Sequence, residues 1–182
     1  MPNRTGLDTL AFAVFLLIWG ILSQAESAMW TNAGGDNLWH SSENWKEGDL
    51  PRREERVRIN RNDENRAIVK EDAITGSIRV GQNKGNFGTL QINANLYLKK
   101  RGNAVGSSGG HGMVNQRDGS VGLSWGNLVI GSGDSESKGT WNLSGGSIKV
   151  SRGGLVVGNG DSNSKRSEEH TLNSSHVRIS YA

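Results

Sequence analysis

The stretch NLVIGSGDSES at 127–137 returns as GLVVGNGDSNS at 154–164. Leu128 and Leu155 stand 27 residues apart, a period at which self-similarity marks structural units that stack on copies of themselves. Each copy opens on a short apolar run closed by Gly, the pattern of a strand that stops where the backbone must turn. Working outward, the same apolar–Gly step recurs at Val80-Gly81, Val105-Gly106, Ile130-Gly131 and Val157-Gly158, at intervals of 25, 25 and 27 residues. A second line runs through Leu90, Val114 and Trp141, and a third through Leu98, Leu123 and Val150.

Three short strands per repeat, recurring in register, describe one rung of a solenoid. The expected fold is therefore all-β: a right-handed parallel β-helix of about four rungs of 25–27 residues, preceded by a signal peptide. Right-handed winding follows from the strong preference of parallel crossovers. Equivalent strands one rung apart pair at about 4.8 Å, so like residues form ladders. The apolar ladders make a core that a single rung could not bury.

Composition agrees. Glycine supplies 26 of 182 residues and proline only two, with no three-residue period, which indicates many tight turns and no triple helix. Strand-like segments include RVRI at 56–59, SIRV at 77–80, TLQI at 89–92, LYLK at 96–99, SVGL at 120–123, TWNL at 140–143 and SIKV at 147–150. After the first residues no segment reads as a long amphipathic helix.

At the start, the apolar run from Leu10 to Leu22 follows Arg4 and precedes small residues at Ser23, Ala25, Ser27 and Ala28. This is the pattern of a secretory signal peptide, with cleavage after Ala25 or Ser27. A membrane anchor is the alternative, but the run is shorter than the roughly 20 residues a spanning helix needs. With no cysteine, an exported chain must be held by packing and backbone pairing, which suits bacterial export. The expected organisation is signal peptide 1–27, Trp-rich N-terminal cap and first strands 28–66, solenoid repeats 67–165 and a tail at 166–182. The expected location is the medium or the cell surface, with no membrane contact beyond the leader.

The formal charge of +3 is modest and its signs are mixed, so nucleic acid is not an expected partner. The densest basic segment, PRREERVRIN at 51–60, reads as a solvated strand face. Only His40 and His111 lie between the leader and the tail, which argues against a zinc site. GSSGGHG around His111 reads as a flexible turn, since it lacks the Lys-Ser/Thr ending of a phosphate-binding loop.

Trp30, Trp39 and Trp45 cluster in the entry segment. An open solenoid end exposes unpaired edges and core, so these residues suit a cap. The alternative is a sugar-binding platform of exposed indoles. The acidic corners offer a second candidate: Asp134 and Asp161 are equivalent residues one rung apart. Either they point into water as ordinary turn residues or a Ca²⁺ ion sits between them. No other cofactor is expected. A polysaccharide-degrading enzyme would need two positioned carboxylates, whereas Asp118, Asp134, Glu136 and Asp161 read as turn acids.

Trp30, Gly35, Trp39, Asn44, Trp45, Gly48 and Pro51, followed by LVIG, GTWNLSGGSIKV and LVVG, resemble secreted bacterial β-solenoid proteins akin to autotransporter passenger repeats. The resemblance covers roughly residues 30–164. It implies a cell-surface or extracellular solenoid, often a segment of a longer protein, and carries no catalytic residues to transfer. The expected function is structural or adhesive, with extracellular polysaccharide or cell-surface components as partners. A carbohydrate-binding module or part of a polysaccharide-degrading β-helix is the alternative. From Arg166 the chain reads RSEEHTLNSSHVRISYA, which breaks the rung pattern and resembles the translation of a sequencing adapter. Residues 166–182 are therefore expected to be an artefactual tail, and His170 and His176 are excluded as site residues.

Overall fold

The structure is a computed structural model that describes residues 27–133, 135–160 and 177–181. It is an all-β parallel solenoid of about five turns. Strand β1 (Ser27–Met29) enters beside the first coil, which is built from β2 (Arg56–Ile59), β3 (Ala67–Val69) and β4 (Ala73–Thr75). The second coil holds β5 (Ser77–Gln82), β6 (Phe87–Ile92) and β7 (Leu96–Leu98). The third holds β8 (Asn103–Ser107), β9 (His111–Gln116) and β10 (Ser120–Leu123), and the fourth β11 (Leu128–Gly133), β12 (Lys138–Leu143) and β13 (Ser147–Val150). A fifth begins with β14 (Leu155–Gly160).

Equivalent strands form three sheets, in the orders β1-β2-β5-β8-β11-β14, β3-β6-β9-β12 and β4-β7-β10-β13. The expected columns pair as read: Val80 with Val105, Val105 with Ile130 and Ile130 with Val157. Val114 pairs with Leu90 and Trp141, and Leu123 with Leu98 and Val150. The stack has about five turns and not four, because a shorter first coil precedes the clear repeats. Ile59 pairs with Val80 only 21 residues on, and its β3 and β4 are three-residue strands containing Ala and Thr. Asn60 follows Ile59 where Gly81 follows Val80, so the first coil lacks the apolar–Gly step that marks the later ones.

The corner glycines answer two demands at once. Gly81, Gly106, Gly131 and Gly158 have φ of 65°, 67°, 71° and 67°, the left-handed region that side chains resist. A Cβ on Gly106 would also lie 1.9 Å from the Lys138 carbonyl oxygen. Facing them is a second glycine ladder, Gly88–Gly112–Gly139, where a Cβ on Gly112 would fall 2.4 Å from the Gly106 nitrogen. The corner thus closes by glycine against glycine. This corrects the reading of GSSGGHG as a flexible turn: Ser107 ends β8, His111 and Gly112 begin β9, and only Ser108 and Gly109 form the turn between them.

Two large buried polar residues in the columns, Asn103 and Gln116, are satisfied. Asn103 replaces an apolar residue between Ile78 and Leu128 in the sequence of coils. Its Oδ1 accepts the Ile78 N–H at 3.1 Å and its Nδ2 donates to the Lys100 carbonyl at 3.0 Å. Gln116 donates to the Gly119 and Ser147 carbonyls at 3.0 and 3.1 Å and accepts the Trp141 indole N–H at 3.2 Å. Left unpaired, such groups would each cost about 1–3 kcal/mol.

One ladder departs from the parallel pattern. β15 (Val177–Tyr181) pairs antiparallel with β12, Trp141 facing Ile179, so part of the expected tail lies along the last edge of this sheet. The expected signal peptide falls almost wholly outside the described residues, as do residues 161–176.

Candidate functional site

The entry segment builds outward from Trp30. β1 pairs with β2, the Trp30 amide donates to the Arg58 carbonyl at 2.9 Å, and Trp39 donates to Ile68 of β3 at 2.9 Å. Two open strand edges of the first coil are thereby covered, which removes the exposed backbone that makes a sheet end sticky. The three indoles pack edge to face, Trp45 lying 5.1 Å from Trp30 and 4.9 Å from Trp39 between centroids. Trp30 donates to the Asn65 carbonyl at 2.7 Å and Trp45 to the Trp39 carbonyl at 2.8 Å.

Trp30, Trp39 and Trp45 are 1%, 2% and 2% exposed. No indole face is open to a pyranose ring, so the sugar-platform reading of these residues is set aside and the packing one stands. The loop between them is tied by Asn44, which is buried. Its Oδ1 accepts the Gly34 amide at 2.9 Å, and its Nδ2 donates to the Leu38 carbonyl at 2.9 Å and to Asp36. Hydrogen bonds from Ser41, from the Leu38 amide and from Asn44, in that order of weight, hold the Asp36 carboxyl below the usual aspartate value.

Asp134 and Asp161, the residues of the calcium reading, lie outside the described residues. Among the described residues no three His, Asp or Glu side chains group as metal ligands. Glu136 pairs with Lys84 at 2.9 Å, and Asp118 accepts the Gly119 amide at 2.7 Å. His111 packs edge to face on Phe87, 4.9 Å between centroids.

The chain matches no family model, no curated protein and no solved structure. The chemistry must therefore be read from the outer face, and one corner there concentrates it. Two residues beyond Leu98, Leu123 and Val150, which stack in one column, stand Lys100, Trp125 and Arg152. The same corner of three successive coils thus carries a cation, an aromatic ring and a cation. Trp125 is 43% exposed. The Arg152 guanidinium lies 4.4 Å from its ring centroid and that of Arg101 5.8 Å, both within cation–π range.

Beside this corner runs an open groove of about 530 Å³, floored by Gly102, Gly126 and Gly153 and flanked by Arg101, Trp125 and Arg152. Two more guanidiniums arrive from the neighbouring sheet. The position of a Cβ on Gly102 would be 3.7 Å from an Arg79 Nη and 3.8 Å from an Arg56 Nη. Arg58 and Arg79 face each other across β2 and β5, and the Nε of each is buried without a hydrogen-bond partner. Partial burial, then the nearby charges of Arg56 and Arg58, lower the pKa of Arg79. RVRI at 56–59 is thus only partly the solvated face expected of it, since Arg58 is half-buried.

Sequence reasoning missed this groove. Extending the third column by two residues would have found Lys100, Trp125 and Arg152. Nothing in the sequence marks the reach of Arg56 and Arg79 to Gly102.

Proposed function

We propose that the chain is an exported structural or adhesive module, a right-handed solenoid that acts outside the cell or on its surface and catalyses nothing itself. The observation that carries this reading is the ladder register. Six strands stack in one sheet with equivalent residues in line, so outward side chains are held in rows at a fixed rise of about 4.8 Å. Such a surface suits repeated contacts with an extended partner, and solenoids commonly bind along their faces. The leader-like residues 1–27 and the likeness to autotransporter passenger repeats support export. Extracellular polysaccharide and cell-surface components are the partners that fit.

The test is to express the full chain with a C-terminal epitope tag in a bacterial host and fractionate it. The tagged chain is expected in the envelope or medium, shortened by its leader. Full-length chain held in the cytoplasm would overturn the export reading. Incubated with acidic and neutral polysaccharides, the purified chain is expected to leave their size distribution unchanged on gel filtration. Depolymerisation would replace the structural reading with the polysaccharide-degrading one.

A further inference from the structure

We infer that the groove over Gly102 is a binding site for a linear polysaccharide bearing anionic groups, either uronate carboxylates or sulfate esters, gripped by Arg56, Arg79, Arg101 and Arg152. This rests on the exported, surface-acting reading above.

Two pairs of guanidiniums border the groove: Arg101 and Arg152 over Trp125, and Arg56 and Arg79 beside Gly102. Among the described residues, none of these arginines has a carboxylate within ion-pair distance, while Glu54 and Glu55, just before β2, are engaged by Lys100 at 3.0 Å and Arg52 at 3.8 Å. Burial and unbalanced like charge both disfavour a charged guanidinium, and the Arg79 pKa is lowered first by its partial burial and then by Arg56 and Arg58. An arriving anion offsets that charge. Planar guanidinium forks suit carboxylate or sulfate oxygens, which they bind through paired, charge-assisted hydrogen bonds.

The shape narrows the ligand. The floor is glycine backbone, so a chain can lie close to it, and the volume of about 530 Å³ lies within the range of small-ligand pockets. The groove is open and runs across successive coils, which favours a segment of polymer over an enclosed metabolite. Single-stranded nucleic acid fits less well, because its binding relies on aromatic faces that stack bases. Here Trp125 is the groove's aromatic ring, and the guanidiniums of Arg152 and Arg101 pack over it. Trp125 acts as a positioning residue that holds two forks at the mouth.

The experiment measures binding of the full chain, at low and moderate salt, to polygalacturonate, chondroitin sulfate, neutral dextran and a single-stranded oligothymidylate. Binding to one or both acidic glycans is expected, with none to dextran. The stronger of the two identifies carboxylate or sulfate as the preferred group. The double variant Arg101→Gln/Arg152→Gln is expected to weaken acidic-glycan binding ~10-fold or more. Lys149→Gln, an exposed change on β13, removes one charge near the groove but outside its lining and is expected to stay within about twofold. Far-UV circular dichroism checks that all variants keep the fold. No binding to either acidic glycan would overturn the proposal, as would equal weakening per charge by Lys149→Gln. Oligothymidylate bound as tightly as the glycans would also overturn it, in favour of a general polyanion surface. A chain retained in the cytoplasm yet selective for acidic glycan would sink the export reading and leave the groove standing. A secreted chain that binds neither glycan would do the reverse.

Discussion

Gly106 shows how much one residue carries in this fold. Its φ of 67° costs an L side chain about 1–2 kcal/mol, and its missing Cβ leaves room for the Lys138 carbonyl. A methyl group at 1.9 Å from a backbone oxygen cannot be absorbed by turning a side chain. Coils three and four would have to part at the corner. Gly106→Ala is therefore expected to destabilise the chain by about 3 kcal/mol or more, read as a lower urea midpoint. Gly85 is the control: its φ is 79° but a Cβ there meets nothing within 4 Å, so Gly85→Ala should cost only the dihedral strain. Equal losses at both sites would show that close approach contributes nothing. These corners were legible because the same residue type must recur wherever the same φ recurs. The opposing ladder of Gly88, Gly112 and Gly139 was not, since those residues lie inside strands with ordinary backbone angles and are demanded only by a neighbour from another part of the coil.

At the scale of the element, the entry loop is held by a polar network as well as by its indoles. Asp36 accepts from Ser41, Leu38 and Asn44, and its pKa is lowered accordingly. Because the folded carboxyl releases its proton more readily than the unfolded one, its contribution is complete above the ordinary aspartate value of about 3.9. That contribution is lost as pH falls through the lower, folded value. Tryptophan fluorescence is therefore expected to report loosening of the Trp30–Trp39–Trp45 cluster at acid pH. Asp36→Asn should loosen the cluster already at neutral pH and flatten its acid dependence. An unchanged acid profile in that variant would remove Asp36 from the account. Asp72, whose carboxyl is lowered by the Asn95 side chain and amide, titrates in the same direction between coils one and two, so the comparison must be made at the indoles. The tryptophan motif itself could be read from spacing. Its burial could not, because spacing shows that three indoles are near one another but not which way they face.

The whole molecule inherits an asymmetry from its stacking. At the entry end Trp30, Trp39 and Trp45 lie over the first coil, and Val57 and Ile59 are fully buried. At the other end of the same sheet Leu155 and Val157 are 42% and 37% exposed, whereas their partners Leu128 and Ile130 are fully buried. In a solenoid each coil is stabilised by its neighbours, so unfolding proceeds from whichever end has the weaker neighbour. Local opening free energy should then fall along the stack. Hydrogen exchange followed by mass spectrometry is expected to show the slowest amides in β5 and β8, faster ones in β11 and the fastest in β14. The columns through Val105 and Val114 made this stack readable, since a residue that must sit above its equivalent is constrained in type. The arginine groove escaped the same reading because its members share no column: Arg101 and Arg152 come from corners, Arg56 and Arg79 from outward positions of another sheet. If the gradient holds, the groove spans it, from Gly102 and Asn103 at the protected β8 to Arg152 and Gly153 beside β14, so its Arg152 side is the less firmly held one. Uniform protection from β5 to β14 would instead mean that the coils melt together, and the end-to-end asymmetry would have no thermodynamic weight.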